Sequence, residues 1–241
     1  MKFLVIGDSC TDIFVYGECN RLCPEAPVPV FNPHRSISNT GMAGNVAANI
    51  RALDHQCDLI TNINRPKKTR YVDDKTNQMI VRVDENDTVE ESFNSSNIDR
   101  LDRYDAIVVS EYGKGFLTSR HVVDICAIHN NVFIDSKKMD LSHVNDCRYL
   151  KLNEYEFERA KHTISIEPAK LIVTRGRDGC EHNGTIYPPR KVREVRDVSG
   201  AGDTFMAALA IGVTSHKKSI GTAIDWAQQC AADVITRRGV V

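Results

Sequence analysis

The chain has 241 residues, and its 31 lysines and arginines nearly balance 32 aspartates and glutamates, for a formal net charge of −1. This length allows a sizeable core. The balanced charge gives no support to nucleic-acid binding, and no apolar run approaches the roughly 18 residues of a membrane span. The run from Phe3 to Ile6 is also too short for a signal peptide. We therefore expect neither a nucleic-acid nor a membrane partner.

The eight cysteines are scattered along the chain. No C-x-x-C pair is present, and Cys19 and Cys23 have no matching pair of ligands that would complete a zinc site. Free thiols are favoured over disulfides in a chain of this size without an export signal. The sequence therefore predicts a cytoplasmic protein.

The first element in chain order is a short apolar run closed by Gly7-Asp8, which is typical of a buried parallel strand and its turn. The dinucleotide motif G-x-G-x-x-G does not follow it, which argues against a Rossmann oxidoreductase. Asp12 lies just beyond the carboxyl end of this strand, where open α/β sheets bind ligands. It is a candidate for holding sugar hydroxyls, and the alternative is a plain turn residue.

Strand-like segments on either side of the first helix predict a small separate sheet. Pro27 and Pro29 cannot donate hydrogen bonds to a central ladder, so the strand around them is an edge strand. The segments Lys67 to Tyr71 and Gln78 to Asp84 resemble a hairpin. We expect a β-strand lid formed by about residues 12–37 and 67–84.

Lys68 and Arg70 lie two residues apart, so they share one face of a strand in this lid. That face is a candidate for meeting an anionic substrate, although solvated charges on an edge strand are equally common. Between the lid segments, Gly41 begins a glycine-rich turn that enters a helix of small residues. Asn45 at the helix start can point its amide at substrate hydroxyls or can cap the helix.

From Tyr104 onward, apolar strand patterns alternate with helical ones. This alternation predicts an α/β fold, a three-layer α/β/α sandwich around a mostly parallel sheet, in a single domain over 1–241 with the lid attached. Polar residues recur where the strands end, at the edge that binds ligands in such sheets. They are Asp12, Lys114, Asn153 with Glu156, Thr174 and Asp203.

Gly200-Ala201-Gly202-Asp203 precedes an apolar helix. Backbone N–H groups at such a helix start can converge on an anion, aided by roughly half a unit of positive charge from the helix. Asp203 is a candidate general base for phosphoryl transfer, and the alternative is an acidic first-turn residue that merely stabilises the helix. Asn153 and Glu156, one helical turn apart, are candidates for ordering the water shell of Mg²⁺. The P-loop and protein-kinase motifs are absent.

Together these motifs resemble the ribokinase-like (PfkB) carbohydrate kinases over nearly the whole chain. The matching elements are Gly7-Asp8 with Asp12, Gly41-x-x-Gly44-Asn45, Asn153-x-x-Glu156, Thr174-Arg175-Gly176 with Gly179, and Asp197-Val198-Ser199-Gly200-Ala201-Gly202-Asp203. Within that family, Cys23 to Val30, Lys68-Thr69-Arg70 and Tyr112-Gly113-Lys114-Gly115 look like the D-glycero-β-D-manno-heptose 7-phosphate kinases, the kinase domain of ADP-heptose synthases.

The resemblance implies ATP-dependent phosphorylation at the anomeric hydroxyl of a heptose 7-phosphate, to give the 1,7-bisphosphate. It also implies Mg²⁺, an optional monovalent cation such as K⁺, and a homodimer formed through the lid. The implied catalytic residues are Asp203, Gly200, Ala201 and Gly202. The implied sugar-binding residues are Asp12, Gly41, Asn45, Lys68, Arg70 and Lys114. The implied ATP-binding residues are Asn153, Thr174, Gly176, Gly179 and Gln229, with Glu156 and Asn153 holding the metal through water.

The chain departs from the family pattern in several places. Met42 and Gly44 replace the usual glycine and alanine, and Gln229 stands where an asparagine is common near the adenine. The chain passes almost directly from Asn62 to Lys67, and no nucleotidyltransferase domain follows Val241. Two alternatives to a heptose-phosphate kinase therefore stay open, namely another sugar or nucleoside kinase and a shortened, non-catalytic binding homologue.

Overall fold

The computed structural model describes residues 1–192, 195 and 197–236, with the backbone alone at 97–99. Its strands form two sheets, one of eight strands and one of four. In chain order the strands are β1 (Lys2–Gly7), β2 (Ser9–Leu22), β3 (Pro29–Met42), β4 (Gln56–Thr61), β5 (Lys67–Asp73), β6 (Met79–Glu85), β7 (Ala106–Glu111), β8 (Val132–Ser136), β9 (Tyr149–Asn153), β10 (Leu171–Thr174), β11 (Cys180–His182) and β12 (Thr185–Tyr187).

The large sheet has the strand order β12-β11-β10-β9-β8-β7-β1-β4. The strands from β4 to β10 pair in parallel, and only β11 and β12 are antiparallel. The predicted mostly parallel sheet is therefore confirmed. The β11–β12 hairpin was not predicted, because strands of three residues are too short to give a periodic pattern.

Helices cover both faces of the large sheet. They are α1 (Ala43–Ala52), α2 (Ser119–Ile128), α3 (Glu154–Ala160), α4 (Ala201–Thr214) and α5 (Ile220–Ile235), with a 3-10 helix at Ser95–Arg103. Alternate residues of β1 point to opposite faces, as a strand requires. Phe3 and Val5 pack in the core cluster that contains α1, α4 and α5, whereas Leu4 and Ile6 pack in the cluster that contains α2 and α3. This is the predicted three-layer α/β/α arrangement.

The small sheet, here called the lid, has the order β3-β2-β5-β6. Both β2 and β3 are 14 residues long, much longer than the apolar segments that indicated them. The outer half of β3 and the last three residues of β2 are largely exposed, so the hydrophobic pattern underestimates both strands. The pairing of β2 with β5 is parallel, and that of β5 with β6 is antiparallel, as the predicted hairpin requires.

A connection of five residues, 62–66, leads from β4 of the large sheet to β5 of the lid. Asn62 connects this turn to the start of β2, where the chain first enters the lid. Its Oδ1 accepts a hydrogen bond from the Ser9 N–H at 2.8 Å, and its Nδ2 donates to the carbonyls of Ser9 and Asn64. The short connection leaves β4 as the edge strand of the large sheet.

Candidate active site

The start of α4 lies at the carboxyl edge of the large sheet. Gly200 precedes the helix with φ of 76°, a left-handed conformation that glycine adopts without strain. No side chain caps the helix. The Ala201 N–H donates to the Val198 carbonyl at 3.3 Å, while the N–H groups of Gly202 and Asp203 belong to the first turn, which has no intrahelical acceptors. The helix start therefore leaves the N–H groups of residues 202 and 203 without intrahelical acceptors.

Asp203 is the centre of a buried hydrogen-bond network. Asn45 Nδ2 donates to its Oδ2 at 2.8 Å, and the Tyr112 hydroxyl donates to its Oδ1 at 2.8 Å. The network continues behind Asn45, because Asn49 Nδ2 donates to the Asn45 carbonyl and Thr204 Oγ1 donates to Asn49 Oδ1. Both oxygens of the carboxylate are thus held in a fixed orientation. Asn45 reaches Asp203 itself, which neither of its two predicted roles included.

The surroundings of Asp203 adjust its proton affinity. Burial raises the pKa of Asp203 to about 6, the negative charge of Asp135 adds to the rise, and the hydrogen bonds from Asn45 and Tyr112 oppose it. A general base is most effective when its pKa lies near the operating pH. The carboxyl group of Asp203 therefore has both a pKa near neutral pH and a fixed orientation.

Tyr112 is held in place by the buried carboxylate of Asp8. This carboxylate accepts hydrogen bonds from the backbone N–H groups of Tyr112 at 2.8 Å, Lys114 at 3.3 Å and Phe116 at 3.1 Å. The loop that follows β7 is thereby fixed to the end of β1. Burial and the charge of Asp203 hold the pKa of the Tyr112 hydroxyl well above its usual range, so this group stays a hydrogen-bond donor.

Replacing Tyr112 by Phe is expected to shift the pH dependence of activity. Asp203 must be ionised to accept a proton, so kcat/KM falls as the pH drops through its pKa of about 6. The Tyr112 hydrogen bond lowers that pKa, and its loss raises it, so the acidic limb of the profile moves to higher pH. Tyr155→Phe, at an exposed position of α3, is the control. Superimposable profiles for Tyr112→Phe and the unmodified protein would contradict this role.

A cluster of charged residues that the sequence did not assign to the site lies beside Asp203. Lys151 is almost fully buried within β9 and contacts Asp135 Oδ2 at 2.8 Å. Lys137 contacts Asp135 Oδ1 at 3.2 Å and also pairs with Glu156. Burial opposes ionisation of Asp135, but the two lysines outweigh it and lower the pKa of this carboxyl.

Lys151 lies directly beneath the first turn of α4. A Cβ on residue 202 would be 3.2 Å from Lys151 Nζ, so Gly202 leaves the lysine open to the space in front of the helix. A lysine between two leucines of a buried strand is unusual, because lysine is rarely buried without a partner. That pattern at Leu150-Lys151-Leu152 is the signal from which the residue could have been identified.

Asn153 and Glu156 form the N-terminal cap of α3. Asn153 Oδ1 accepts from the Glu156 N–H, and Glu156 in turn accepts from the Asn153 N–H at 2.8 Å and from its side-chain amide. No group of three His, Cys, Asp or Glu side chains that could ligate a metal occurs in the described part of the chain. Asp135 and Glu156, bridged by Lys137, fit a hydrated Mg²⁺ that keeps most of its waters.

Four of the six predicted sugar-binding residues lie together in the lid, around Asp12. Arg70 pairs with Asp12, and Lys68 lies opposite Asp12 in the parallel pairing of β2 with β5. Gly41 is required here, because a Cβ on it would lie 2.1 Å from Asp12 Oδ2 and 2.6 Å from Cys10 Sγ. Lys114 pairs instead with Asp87, which is exposed. Asp12 and Arg70 are thus brought together, while the charge of Lys114 is already engaged elsewhere.

A cavity of about 710 Å³ extends from Asp203 towards α5. Eight predicted residues line it, namely Asn153, Thr174, Gly176, Gly179, Gly200, Ala201, Gly202 and Asp203. Gln229 does not line it, since that side chain is exposed and donates to Asp233 on the same helix. The neighbouring Gln228 lines the cavity and is buried, and its Nε2 has no hydrogen-bond partner among the residues that the structure describes. Gln228 and Gln229 thus differ by about 100° in direction around the helix, and only Gln228 is directed to the cavity.

Comparison with known proteins gives a consistent result. The model of the pfkB family of carbohydrate kinases matches residues 53–241. The bifunctional protein HldE of Nitrobacter hamburgensis is 31% identical over 295 aligned positions, which include 98% of this chain and 60% of the relative. HldE of Helicobacter acinonychis is 30% identical, over 99% of this chain and 63% of the relative. The chain thus spans less than two thirds of the length of these curated relatives, and the alignments extend over more positions than it has residues.

Solved structures share the fold. The ribokinase of Thermotoga maritima superposes with a TM-score of 0.74 at 18% identity, covering 99% of this chain and 94% of the other. The ribokinase of Arabidopsis thaliana, solved with ribose and ATP, gives a TM-score of 0.73 at 14% identity, with coverages of 99% and 93%. Among the described residues of this chain, no helix has the length and apolar character needed to cross a membrane.

Proposed function

Because the chain belongs to the PfkB family of carbohydrate kinases, we propose that it transfers the terminal phosphoryl group of ATP to a hydroxyl of a sugar phosphate. The observation that carries this proposal is the buried Asp203, oriented by Asn45 and Tyr112 in the first turn of an uncapped helix. A carboxylate beside an anion-binding helix start repels the anion, so its placement there is explained by proton transfer from the acceptor hydroxyl.

In the proposed reaction, Asp203 takes the proton of the sugar hydroxyl while that oxygen forms a bond to phosphorus. The bond from phosphorus to the ADP oxygen breaks on the opposite side. The N–H groups of Gly202 and Asp203 stabilise the charge on the transferring group, and Lys151 lies close enough beneath them to contribute its positive charge. Bound Mg²⁺ would neutralise phosphate charge, and Asp135, Glu156 and Asn153 are the residues that would hold its water shell.

The cavity in front of α4 supplies the proposed nucleotide site. Its walls combine apolar surface from α5, including Ala231 and Ile235, with Thr174 and the turn at Gly176. Gln228 offers a buried amide at this wall, and no atom in the described part of the chain accepts from its Nε2. An unsatisfied buried amide carries a free-energy cost that a hydrogen bond to the base edge would remove. We therefore place the adenine near Gln228.

The acceptor that we propose is a heptose 7-phosphate, phosphorylated at the anomeric hydroxyl. Support comes from the motifs shared with heptose 7-phosphate kinases and from the sequence similarity to HldE proteins along nearly the whole chain. Asp12 is fixed by Arg70 and would accept hydrogen bonds from sugar hydroxyls. Lys68 on the adjacent strand is the proposed partner of the substrate phosphate.

A panel of acceptors tests this assignment. With ATP and Mg²⁺, kcat/KM for D-glycero-D-manno-heptose 7-phosphate is expected to exceed that for neutral sugars about 100-fold, because each hydrogen bond between charged groups contributes about 1.5–3 kcal/mol. The measurement is ADP release over sugar phosphates, free sugars and nucleosides. Preference for a neutral sugar or nucleoside would leave a kinase of another specificity. ATP binding without turnover on any acceptor would indicate the non-catalytic alternative.

We further propose that the chain is a single domain, forms a homodimer through the lid and works in the cytoplasm. Val81 and Val83 lie on one face of the edge strand β6 and are 49% and 42% exposed, an apolar surface that a second lid would cover. All eight cysteines are free thiols, as a reducing compartment requires. Sedimentation velocity tests the dimer, and a monomer at micromolar concentration would refute it.

A further inference from the structure

Lys137 occupies an unusual position directly after β8. Its ammonium group lies 3.2 Å from Asp135 Oδ1, contacts Glu156 Oε1, and lies 5.0 Å from the centroid of the Tyr112 ring. The side chain nevertheless lines the large cavity and keeps 24% of its surface exposed. The ammonium group of Lys137 is therefore held by acidic groups, while the side chain as a whole remains partly exposed in the cavity.

The ammonium group of Lys137 lies between the carboxylates of Asp135 and Glu156, a position that a metal ion could also occupy. Burial works against the charged form of Lys137, but Asp135, Glu156 and Asp203 outweigh it and raise its pKa. Lys151 contacts the other oxygen of Asp135 and lies deeper, with only 2% of its side chain exposed. Without Lys137, Asp135 Oδ1 and Glu156 Oε1 would lie near each other beside the cavity wall with no lysine between them.

We propose that Lys137 is a resident cation that neutralises Asp135 and Glu156 before nucleotide binds, and that it competes with a divalent cation for these two carboxylates. When the metal–nucleotide complex enters, the ammonium group moves along the cavity wall to the phosphates. A flexible four-carbon stem with a compact charge suits this exchange. The inference rests on the proposed function, because it assumes that phosphates and a divalent cation enter this cavity.

The competition is measured with Mn²⁺ alone, on the full chain without nucleotide or sugar, by electron paramagnetic resonance of the free ion. Lys137→Met is expected to bind Mn²⁺ at least about tenfold more tightly than the unmodified protein, because a positive charge within 4 Å of both carboxylates is removed. The matched control is Lys138→Met, which makes the same change in net charge one residue away, where the lysine pairs with Glu111 instead. The control is expected to leave Mn²⁺ affinity unchanged.

Further variants keep the test decisive. Lys137→Gln retains a hydrogen-bond donor towards Glu156 and replaces Lys137→Met if that protein does not fold, as judged by circular dichroism. Adding Asp135→Asn to either variant is expected to abolish the gain in affinity. Equal Mn²⁺ affinity in the unmodified protein and the folded Lys137 variant would overturn the proposed competition. An equal gain in affinity in Lys138→Met would also overturn it, because the effect would then come from net charge alone.

Transfer of the ammonium group to the phosphates is tested separately by calorimetry with ATP and excess EDTA. The affinity for metal-free ATP is expected to fall about tenfold in the Lys137 variant and not in Lys138→Met, because one charged contact to phosphate is lost. Unchanged affinity in the Lys137 variant would overturn this transfer. Failure of the protein to phosphorylate any acceptor would refute the proposed function, whereas the Mn²⁺ measurement would still report on the competition at Asp135 and Glu156.

Discussion

Asp203→Asn is expected to lower kcat by about 10²- to 10⁴-fold, the range typical for loss of a general base. Asparagine has nearly the same shape and retains an oxygen that can accept from Asn45 or Tyr112, which donate to the two carboxylate oxygens. It cannot take up the proton of the acceptor hydroxyl. Steady-state ADP release with saturating ATP and sugar phosphate measures the effect, and the affinity for ATP is expected to change little.

Asp233→Asn provides the comparison. Asp233 lies on α5, where it accepts a hydrogen bond from the exposed Gln229, so the same chemical change there is expected to leave turnover intact. Circular dichroism and thermal unfolding establish that both variants are folded. Turnover of Asp203→Asn within a few-fold of the unmodified protein would show that Asp203 is not the base, and its buried network would then have only a structural role.

Asp8→Ala is expected to lower the free energy of unfolding by about 3 kcal/mol or more, because three backbone N–H groups lose their common acceptor. The carboxylate of Asp8 is fully buried, and water cannot take its place without rearrangement of the loop after β7. Activity should fall together with stability, since the same loop carries Tyr112 to Asp203. Urea denaturation monitored by circular dichroism measures the loss.

Two further variants serve as comparisons for Asp8→Ala. Asp8→Asn keeps one acceptor oxygen, so its loss of stability should lie between that of Asp8→Ala and zero. Asp105→Ala removes an exposed carboxylate that accepts a hydrogen bond from the Lys2 N–H, and a loss of about 0.5 kcal/mol is expected there. If Asp8→Ala unfolded at the same urea concentration as Asp105→Ala, the loop would not depend on this carboxylate.

The elements that sequence reasoning predicted correctly share a strong local signal. The apolar runs of β1, β7 and β8 are buried on both faces, and such runs are hard to place anywhere but in a central parallel sheet. The start of α4 was predicted from the glycines at 200 and 202, and Gly200 has the left-handed conformation that glycine adopts without strain.

The features that were not predicted depend on contacts between distant segments. Asn45 and Asp203 are 158 residues apart in sequence, and only the packing of α1 against α4 brings them together. The choice between Gln228 and Gln229 depends on the rotation of α5 about its axis, which the positions of its apolar residues fix only approximately. Likewise, Lys137 has a defined role only once β8 and the start of α3 are placed side by side.

The junction between the lid and the first helix has a mechanical consequence. Strand β3 ends at Met42 and α1 begins at Ala43, so no loop separates them. Met42 itself is buried with φ of 57°, and the Ala43 N–H is bonded to the Asp8 carbonyl. A tilt of the lid at this end would therefore move the first turn of α1, where Asn45 donates a hydrogen bond to Asp203. Any displacement of the lid at this junction would therefore also change the hydrogen bond between Asn45 and Asp203.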